Sequence, residues 1–342
     1  MPRPVSNPPN PWLSTHVEWL GEPPPVELQV FEETAKSILA TNDSPDVPFR
    51  WSINPYRGCQ HACAYCYARP GHQHLGFGAG TDFDSKIVVK KNAASLLWHE
   101  LRRGRARGEW IAISGVTDPY QPLEASYELT RECLQICRDF DKPVGIVTKG
   151  ALVRRDAELL AEIHERASAV VYVSIPFADA ALSRAIEPLA PEPRVRFETL
   201  RALAEAGVPV GVSVSPVIPG LNEEQVPRIL EAAAEAGATR AFQILLRLTK
   251  DLRPVFEERL TAALPDRAAR VMHAYDEIRA AQPRGFGHEF GTRMVGAGPR
   301  WETIRGLFDV TCRRLGFDTS PRDPLTDLRP GNTSVQGELF EG

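Results

Sequence analysis

Residues 144–175 read VGIVTKGALVRRDAELLAEIHERASAVVYVSI and contain two strand patterns separated by one helix pattern. The outer runs, VGIVT at 144–148 and AVVYVSI at 169–175, are short, apolar and rich in β-branched residues, which is typical of buried strands. Between them, DAELLAEIHERA at 156–167 repeats apolar residues at helical spacing. This order predicts two parallel strands joined by a helical crossover.

The same alternation recurs on both sides of this unit. Four further strand patterns are FRWSIN, IAIS at 111–114, PVGVSV at 209–214 and AFQILL at 241–246. Helical patterns such as ELTRECLQICRDF and RFETLRALAEAG lie between them. Six strands that alternate with helices predict an α/β fold, and the count suits a partial (β/α)6 TIM-like barrel. A doubly wound open sheet fits the periodicity as well, and in either fold the ligand site lies at the carboxyl ends of the strands.

The two ends of the chain lack this alternation. Residues 1–45 are rich in proline and hold only a short helical pattern near Phe31 to Leu39, so we expect an extended N-terminal arm. Residues 46–316 form the predicted core with a helical C-terminal extension. Residues 317–342 are polar and punctuated by proline and glycine, and we expect a flexible, disordered tail.

Composition limits the classes of function. With 342 residues, 43% hydrophobic and 25% charged, the chain has the makeup of an ordinary globular protein. No apolar run approaches the roughly 18 residues of a membrane span, and MPRPVSNPPNPW lacks the order of a signal peptide, so we expect a cytoplasmic protein without a membrane partner. Its net charge of -4 gives no overall attraction to nucleic acid, which would need a local basic face. One candidate face is Arg102, Arg103, Arg105 and Arg107, although a solvated helix end is the favoured explanation.

Three of the six cysteines lie within eight residues, in the stretch NPYRGCQHACAYCYARP after the first predicted strand. Cys59, Cys63 and Cys66 form a C-x3-C-x2-C pattern, which in a reducing compartment indicates metal binding. Three thiolates can hold an iron–sulfur cube and leave one iron open. A zinc site would need a fourth ligand, which a nearby histidine could supply: His61, His72 or His74.

The pattern C-x3-C-x-aromatic-C, with Tyr65 as the aromatic residue, resembles the signature of the radical SAM superfamily. Its position after the first of six strands is similar too. The resemblance implies a 4Fe-4S cluster on the three cysteines, whose open iron is chelated by S-adenosylmethionine (SAM). It also implies reductive cleavage of SAM to a 5'-deoxyadenosyl radical, with an electron donor such as flavodoxin or ferredoxin. The alternatives are a zinc-stabilised binding module and an electron-transfer iron–sulfur protein that binds no SAM.

Residues at other strand ends resemble SAM-binding positions of this family. PVIPGLNE, after the fifth strand, is similar to the adenine-binding pattern G-x-I-x-G-x-x-E at Ile218, Gly220 and Glu223, with Pro216 in place of the first glycine. A Pro-Gly turn before a helix N-cap at Asn222 is the alternative.

Two more strand ends carry polar groups. Ser174, at the end of the fourth strand, resembles the ribose-contacting residue of the family. The second strand runs into SGVTDPYQPLE, where the family often holds the methionyl amine, and the resemblance implies this role for Thr117, Asp118 or Glu124. Ordinary turn chemistry is the alternative for each.

Three segments, CxxxCxYCY, VTDPY and VTK, resemble the spore photoproduct lyase and DNA repair photolyase-like branch, over roughly residues 35–315. The chain is most similar to uncharacterised bacterial members with SINPYRGC and TDPYQP motifs. The resemblance implies that Lys149 lies near the methionyl carboxylate and that nucleic acid is the substrate. A peptide or small molecule is the alternative. The sequence does not indicate an oligomeric state.

One position departs from this branch. Gly115 stands where the lyase has the cysteine that donates hydrogen to the substrate radical, so thymine-dimer reversal is not expected. Tyr67 and Tyr120 are the candidates for a catalytic hydrogen donor, with packing as the alternative. Possible substrate-facing charges are Glu187, Arg247 and Arg293, the last of which is expected at the surface. Three remaining cysteines are predicted to be structural: Cys133, Cys137 and Cys312.

Overall fold

The computed structural model describes residues 27–282, 290 and 292–319. Within these residues the chain forms ten strands, which are β1 (Gln29–Glu33), β2 (Leu39–Thr41), β3 (Trp51–Ile53), β4 (Tyr56–Arg57), β5 (Lys86–Lys90), β6 (Ile111–Ile113), β7 (Val144–Thr148), β8 (Ala169–Ser174), β9 (Val210–Val217) and β10 (Arg240–Leu245).

The same residues form eleven α-helices, which are α1 (Thr81–Ser85), α2 (Ala93–Arg102), α3 (Glu124–Tyr127), α4 (Leu129–Asp139), α5 (Ala157–Arg166), α6 (Ala180–Ile186), α7 (Pro193–Glu205), α8 (Val226–Glu235), α9 (Leu252–Ala263), α10 (Pro265–Ala280) and α11 (Pro299–Leu315). Short 3-10 helices span Arg69–Leu75, Ala151–Asp156 and Glu223–Gln225. No helix in the described part of the chain is long and apolar enough to cross a membrane.

The main sheet has seven strands in the order β10-β9-β8-β7-β6-β3-β2. Its six strands from β3 to β10 run parallel and follow chain order, whereas β2 joins the edge antiparallel to β3. A doubly wound sheet would reverse its strand order at a switch point, which this sheet does not do. The predicted α/β fold with a partial six-stranded barrel is therefore confirmed.

Alternate strand positions supply the main hydrophobic core. Ile111, Val144 and Val171 are fully buried there together with helix residues such as Leu160 and Leu203. Burying a side chain of this size stabilises the fold by about 1.5–3 kcal/mol relative to leaving it exposed. This core fixes the strands, so the loops at their carboxyl ends are held by a rigid scaffold.

The N-terminal segment differs from its prediction. The helix predicted near Phe31 to Leu39 is wrong. Gln29–Glu33 is a strand that pairs parallel with β5, and Leu39–Thr41 is a strand that pairs with β3. Most side chains of β1 are exposed, so its backbone pairing leaves no apolar period that the sequence could reveal. The proline-rich residues 1–26 lie outside the described residues.

A second sheet, in the order β1-β5-β4, supports residues 59–66, which we call the cysteine loop. Strand β4 pairs antiparallel with β5 and ends at Arg57, two residues before Cys59. This sheet has no clear signal in the sequence, because β4 has only two residues and β5 lies outside the regular alternation.

The residues that follow α11 pack against the main sheet and its core. Phe317 is buried in the main core, and Asp318 forms a parallel bridge with Arg240 at the edge of β10. The packed structure therefore includes the first two residues of the predicted tail, 317 and 318. The rest of that tail, residues 320–342, lies outside the described residues.

Candidate functional site

Backbone hydrogen bonds fold the cysteine loop and join its first residue to α1. The amide of Cys59 donates to the carbonyl oxygen of Phe83 at 2.9 Å, and the amide of Ala62 donates to the carbonyl of Cys59 at 3.3 Å. The amide of Cys66 donates to the carbonyl of Cys63 at 3.4 Å. All three thiols are free, two are buried and Cys66 is half-buried. The loop therefore presents three unpaired thiols from one short turn.

The electrostatics of the three thiols suit a cationic metal cluster. Burial raises the pKa of Cys63 to about 12, and burial together with Asp118 and the other two cysteines raises the pKa of Cys59. Burial also raises the pKa of Cys66. The three thiols lie within one stretch of eight residues, and the other two cysteines contribute to the raised pKa of Cys59. Without metal they stay protonated, and metal binding would release their protons.

The geometry does not favour a single zinc ion. Among the residues that the structure describes, no three His, Cys, Asp or Glu side chains are grouped to hold one metal ion. The Nδ1 of His61 lies 3.3 Å from Asp118, and the Nε2 of His72 lies 2.9 Å from the carbonyl oxygen of Lys86. His74 is exposed. A four-iron cluster binds its cysteines through different iron atoms, so their sulfurs need not meet at one point.

The loop after β6 is fastened to the cysteine loop. The hydroxyl of Thr117 donates to the carbonyl of Gly58 at 2.6 Å, and the Gln121 amide donates to the same carbonyl at 3.3 Å. The backbone amide of Gln60 donates to the Gln121 side-chain oxygen at 3.1 Å. Thr117 therefore orients the residue before Cys59. Gln121 was not predicted as a site residue, because no motif distinguishes it from a turn residue.

Asp118 joins the ends of two neighbouring strands. Its carboxylate accepts from the Thr148 hydroxyl at 2.5 Å and from the amides of Lys149 and Tyr120 at 2.7 and 2.9 Å. Burial opposes its ionisation, but His61 and these donors hold the pKa of Asp118 well below its usual range. Asp118 thus sets the position of Lys149 and has little capacity left for a ligand.

A buried ionic cluster lies beside Cys63. Glu187 forms an ion pair with Arg196 at 2.6 Å, accepts a hydrogen bond from the Tyr65 hydroxyl and lies 3.8 Å from the Lys149 ammonium. The Lys149 ammonium is 5.6 Å from the centre of the Tyr65 ring, and the lysine side chain is 16% exposed. We call Glu187, Arg196, Lys149 and Tyr65 the Glu187 cluster.

The Glu187 cluster is held in a charged state. Burial opposes ionisation of Glu187, but Arg196 and Lys149 lower the pKa of its carboxyl. Burial works against the charge of Lys149 as well, yet Cys63 and Glu187 raise its pKa. Glu187 was predicted as a substrate-facing charge, but its side chain has no exposed surface. Arg196 lies on α7 and was not predicted as a site residue, because the sequence around it contains no recognisable motif.

The ends of β8 and β9 provide a preformed turn. The Ser174 hydroxyl donates to the carbonyl of Ser215 at 3.2 Å. Glu223 accepts from the amides of Gly220 and Leu221 at 2.6 and 2.9 Å. Gly220 has φ +78, a conformation that favours glycine. Glu223 therefore shapes this turn through its carboxylate.

The turn packs against the cysteine loop. Ile218 is fully buried in one hydrophobic cluster with Cys63 and Tyr65. Asn222 makes no N-cap bond and instead donates to the carbonyl of Pro176 at 2.8 Å. The turn is present and Asn222 stands at the N-cap of the 3-10 helix Glu223–Gln225, but its side chain closes the loop and does not cap the helix.

Two predicted site residues lie away from this group. Glu124 is fully buried and accepts from Tyr56, Thr130, Arg131 and Arg155, so all of its carboxylate capacity is used within the protein. Tyr120 belongs to the main hydrophobic core, and its hydroxyl faces Asp156.

Three other predicted residues surround the mouth of the barrel. Tyr67 is 56% exposed rather than buried, and its hydroxyl donates to the carbonyl of Gly115. Arg247, just past β10, is half-buried and interacts electrostatically with Tyr67 and Arg293. Arg293 was expected at the surface, but it is paired with Asp46 and mostly buried. Cys133, Cys137 and Cys312 lie in the hydrophobic core as predicted.

Replacing Gly58 by alanine is expected to destabilise the protein by about 1–3 kcal/mol. Gly58 has φ +80, and an added Cβ would lie 2.9 Å from both Ile87 Cδ1 and the carbonyl oxygen of Phe83. Denaturant unfolding of the metal-free chain measures the effect. Gly71→Ala is the matched control, because nothing lies within 4 Å of a Cβ there. Equal unfolding midpoints for both variants would contradict the prediction.

Comparisons with known proteins agree with this geometry. The family model of the Radical SAM superfamily matches residues 53–233, more than half of the chain. An uncharacterised protein of Mycobacterium tuberculosis is 40% identical over 231 residues, which are 67% of this chain and 68% of that protein. An uncharacterised protein of Methanocaldococcus jannaschii is 34% identical over 197 residues, which are 57% of this chain and 70% of that protein.

Solved structures are similar at the level of the fold. A mutant of spore photoproduct lyase aligns with a TM-score of 0.60 at 17% identity and covers 89% of this chain and 88% of that chain. A second mutant of that lyase, with bound AdoMet and dinucleoside spore photoproduct, aligns with a TM-score of 0.51 at 18% identity over 69% of this chain and 67% of that chain.

Proposed function

The chain belongs to the radical SAM superfamily, whose enzymes use a 4Fe-4S cluster and SAM, and we propose that Cys59, Cys63 and Cys66 hold the cluster here. The observation that carries this proposal is that three free thiols share one short loop and that Lys149, at the carboxyl end of the parallel strand β7, lies over the ring of Tyr65 in that loop. When bound, the cluster supplies the electron that cleaves SAM to a 5'-deoxyadenosyl radical, which abstracts hydrogen from the substrate. Enzymes of this family need a reductant, and we propose a flavodoxin or ferredoxin for this role.

Lys149 is the residue that we propose to bind the methionyl carboxylate. Its side chain is 16% exposed, its ammonium lies 3.8 Å from Glu187, and Cys63 and Glu187 both favour its charged form. A cation held in a mostly buried site binds a carboxylate more strongly than one in water, because the local dielectric is lower. Tyr65 keeps this cation in place from the other side.

The remaining contacts to SAM are proposed at the ends of β8 and β9. Ser174 offers a hydroxyl for the ribose, and the turn from Ile218 to Gly220 offers apolar surface and backbone groups for the adenine. Their support is the shared hydrophobic cluster that joins Ile218 to the cysteine loop. Among the residues predicted near the methionyl amine, Thr117 and Asp118 position the cysteine loop and Lys149, and Glu124 is occupied elsewhere.

We propose that the substrate is nucleic acid, in a photolyase-like repair or modification reaction. This proposal is supported by the exposed aromatic ring of Tyr67, which interacts electrostatically with Arg247 just past the end of β10. An exposed aromatic ring and an arginine suit a base and its phosphate. Of the two tyrosines predicted as hydrogen donors, Tyr67 is better placed to meet a substrate, because Tyr120 is in the core.

Activity is tested by anaerobic incubation of the reconstituted full chain with dithionite and SAM. Mass spectrometry should detect 5'-deoxyadenosine. An intact cluster that yields no 5'-deoxyadenosine, and whose spectrum does not change when SAM is added, would instead support an electron-transfer protein. Deuterated oligonucleotides, peptides and small molecules then test the substrate class through transfer of deuterium into 5'-deoxyadenosine.

Replacing Arg247 by glutamine is expected to weaken the binding of a single-stranded oligonucleotide by about 10- to 100-fold, because a charged hydrogen bond contributes about 1.5–3 kcal/mol. Arg247 is half-buried and lies among other charges, of which Arg293 and Arg279 are positive and Asp46 is negative, so it adds positive charge that suits a phosphate. The dependence of affinity on salt should also become less steep. Fluorescence anisotropy at several salt concentrations measures both effects.

Arg102→Gln is the matched control for this experiment. Arg102 lies over the Trp98 ring on α2 and belongs to the basic face predicted from the sequence. Affinity that falls in this control and not in Arg247→Gln would move nucleic-acid binding to that face.

A further inference from the structure

Arg69 holds the backbone of the cysteine loop from inside the protein. Its guanidinium donates to the carbonyl oxygen of Cys63 at 3.1 and 2.7 Å and to the carbonyl of Gly80 at 2.7 Å. It also forms an ion pair with Asp84 at 2.7 Å, and neither side chain has exposed surface. Arg69 therefore binds the peptide carbonyl of a proposed cluster ligand directly.

Arg259 reaches the same loop from a distant part of the chain. It lies on α9, after the last strand of the barrel, and donates to the carbonyl oxygen of Ala62 at 2.7 Å. The same guanidinium forms an ion pair with Asp84. Two arginines thus bind two consecutive carbonyls of the cysteine loop and share a single carboxylate. We call Arg69, Arg259 and Asp84 the arginine clamp.

The arginine clamp carries excess positive charge next to the thiols. Two guanidinium groups and one carboxylate leave a net charge of about +1, because arginine stays protonated in proteins. An uncompensated buried charge is costly unless an opposite charge lies nearby. Arg259 acts electrostatically on Cys63, and Arg69 acts on Cys66. The positive charge of the arginine clamp therefore lies beside the sulfur atoms that would become thiolates on binding a cluster.

We propose that the arginine clamp both fixes the cysteine loop and raises the reduction potential of the cluster, with Arg259 coupling the helix after the barrel to the cluster. The proposal rests on the proposed function, since it requires the cluster on Cys59, Cys63 and Cys66. Reduction adds negative charge to the cluster, so a nearby positive charge stabilises the reduced form. Local charge and hydrogen bonding are among the main determinants of iron–sulfur potentials. Arg69, Arg259 and Asp84 are positioning residues in this proposal.

The experiment is an anaerobic redox titration of the reconstituted full chain, followed by electron paramagnetic resonance. Arg259→Gln removes positive charge and should shift the midpoint potential of the cluster to more negative values. Asp84→Asn removes negative charge and should shift it in the opposite direction. Arg259→Lys keeps the charge and should stay close to the wild-type potential. Shifts of the same sign in Arg259→Gln and Asp84→Asn, or no shift in Arg259→Gln, would overturn the proposal.

The matched control is Arg253→Gln on the same helix. Arg253 is paired with Glu257 and Asp276 on the surface of the protein, so its replacement should leave the potential unchanged. A shift as large as that of Arg259→Gln would show that helix α9 acts through general loosening, which contradicts the proposal.

A second measurement uses the metal-free chain. Hydrogen exchange of residues 59–66 should accelerate in Arg259→Gln and in Arg259→Lys, because lysine cannot reproduce the two-pronged contact to Ala62 and Asp84. Unchanged exchange in both variants would overturn the positional part of the proposal. A wild-type chain that exchanges slowly here but binds no cluster would overturn the proposed function and leave the arginine clamp as a structural feature.

Discussion

Cys63→Ala is expected to abolish the iron–sulfur absorbance of the reconstituted protein and to reduce formation of 5'-deoxyadenosine by more than about 100-fold. Loss of a residue that only supports a metal ligand already costs about 10–100-fold, so loss of a ligand itself should cost more. Cys63 is the middle thiol of the loop and is buried beside Lys149 and the Glu187 cluster. Iron content, absorbance and product formation measure the effect together.

Cys133→Ala is the matched control for this variant. Cys133 is a free, fully buried thiol, but it packs in the main core on α4 rather than in the cysteine loop. Its replacement should leave iron content and product formation unchanged. A Cys63→Ala protein that retains the wild-type iron content and activity would exclude Cys63 as a cluster ligand.

The cysteine loop could be located from the sequence because its chemistry and its neighbours along the chain agree. Cys59, Cys63 and Cys66 are close in sequence, and the strands around them show clear apolar patterns. Lys149 directly follows β7 and Ser174 is the last residue of β8, and parallel strands bring such residues to the same edge of the sheet. Local patterns are sufficient for residues of this kind.

Residues that act through long-range contacts could not be predicted in the same way. Arg259 meets the cysteine loop across 197 positions of sequence, and Arg196 meets Glu187 through a turn between two helices. Nothing in the local sequence of either arginine separates it from a solvated helix residue. Glu124 and Asp118 show the opposite error, because each lies in a motif that suggests ligand binding. In the structure their carboxylates instead accept hydrogen bonds from neighbouring groups of the protein. Only the packed structure decides which carboxylate is free.

Glu187→Gln is expected to lower the free energy of unfolding by about 3–5 kcal/mol, because breaking a buried ion pair leaves an uncompensated charge in the interior. Arg196 would keep its charge with only 1% of its side chain exposed. Its remaining partners are two backbone carbonyls, those of Pro191 and Ser174. Denaturant unfolding of the metal-free chain, followed by circular dichroism, measures the loss without any contribution from the cluster or SAM.

The same substitution should weaken the binding of SAM to the reconstituted protein. Glu187 holds both the Tyr65 hydroxyl and the Lys149 ammonium, so its neutral replacement frees the cation from one of its two fixed neighbours. Equilibrium binding of SAM before reduction separates this effect from any change in the rate of cleavage.

Glu192→Gln separates the buried position from an ordinary surface ion pair. Glu192 is about half exposed and pairs with Arg184, which is also exposed, so its replacement should change the free energy of unfolding by no more than about 1 kcal/mol. The two glutamates are five residues apart and differ mainly in burial. If Glu187→Gln unfolds at the same denaturant concentration as Glu192→Gln, the Glu187 cluster does not stabilise the fold, and the position of Lys149 must depend on Asp118 and the end of β7.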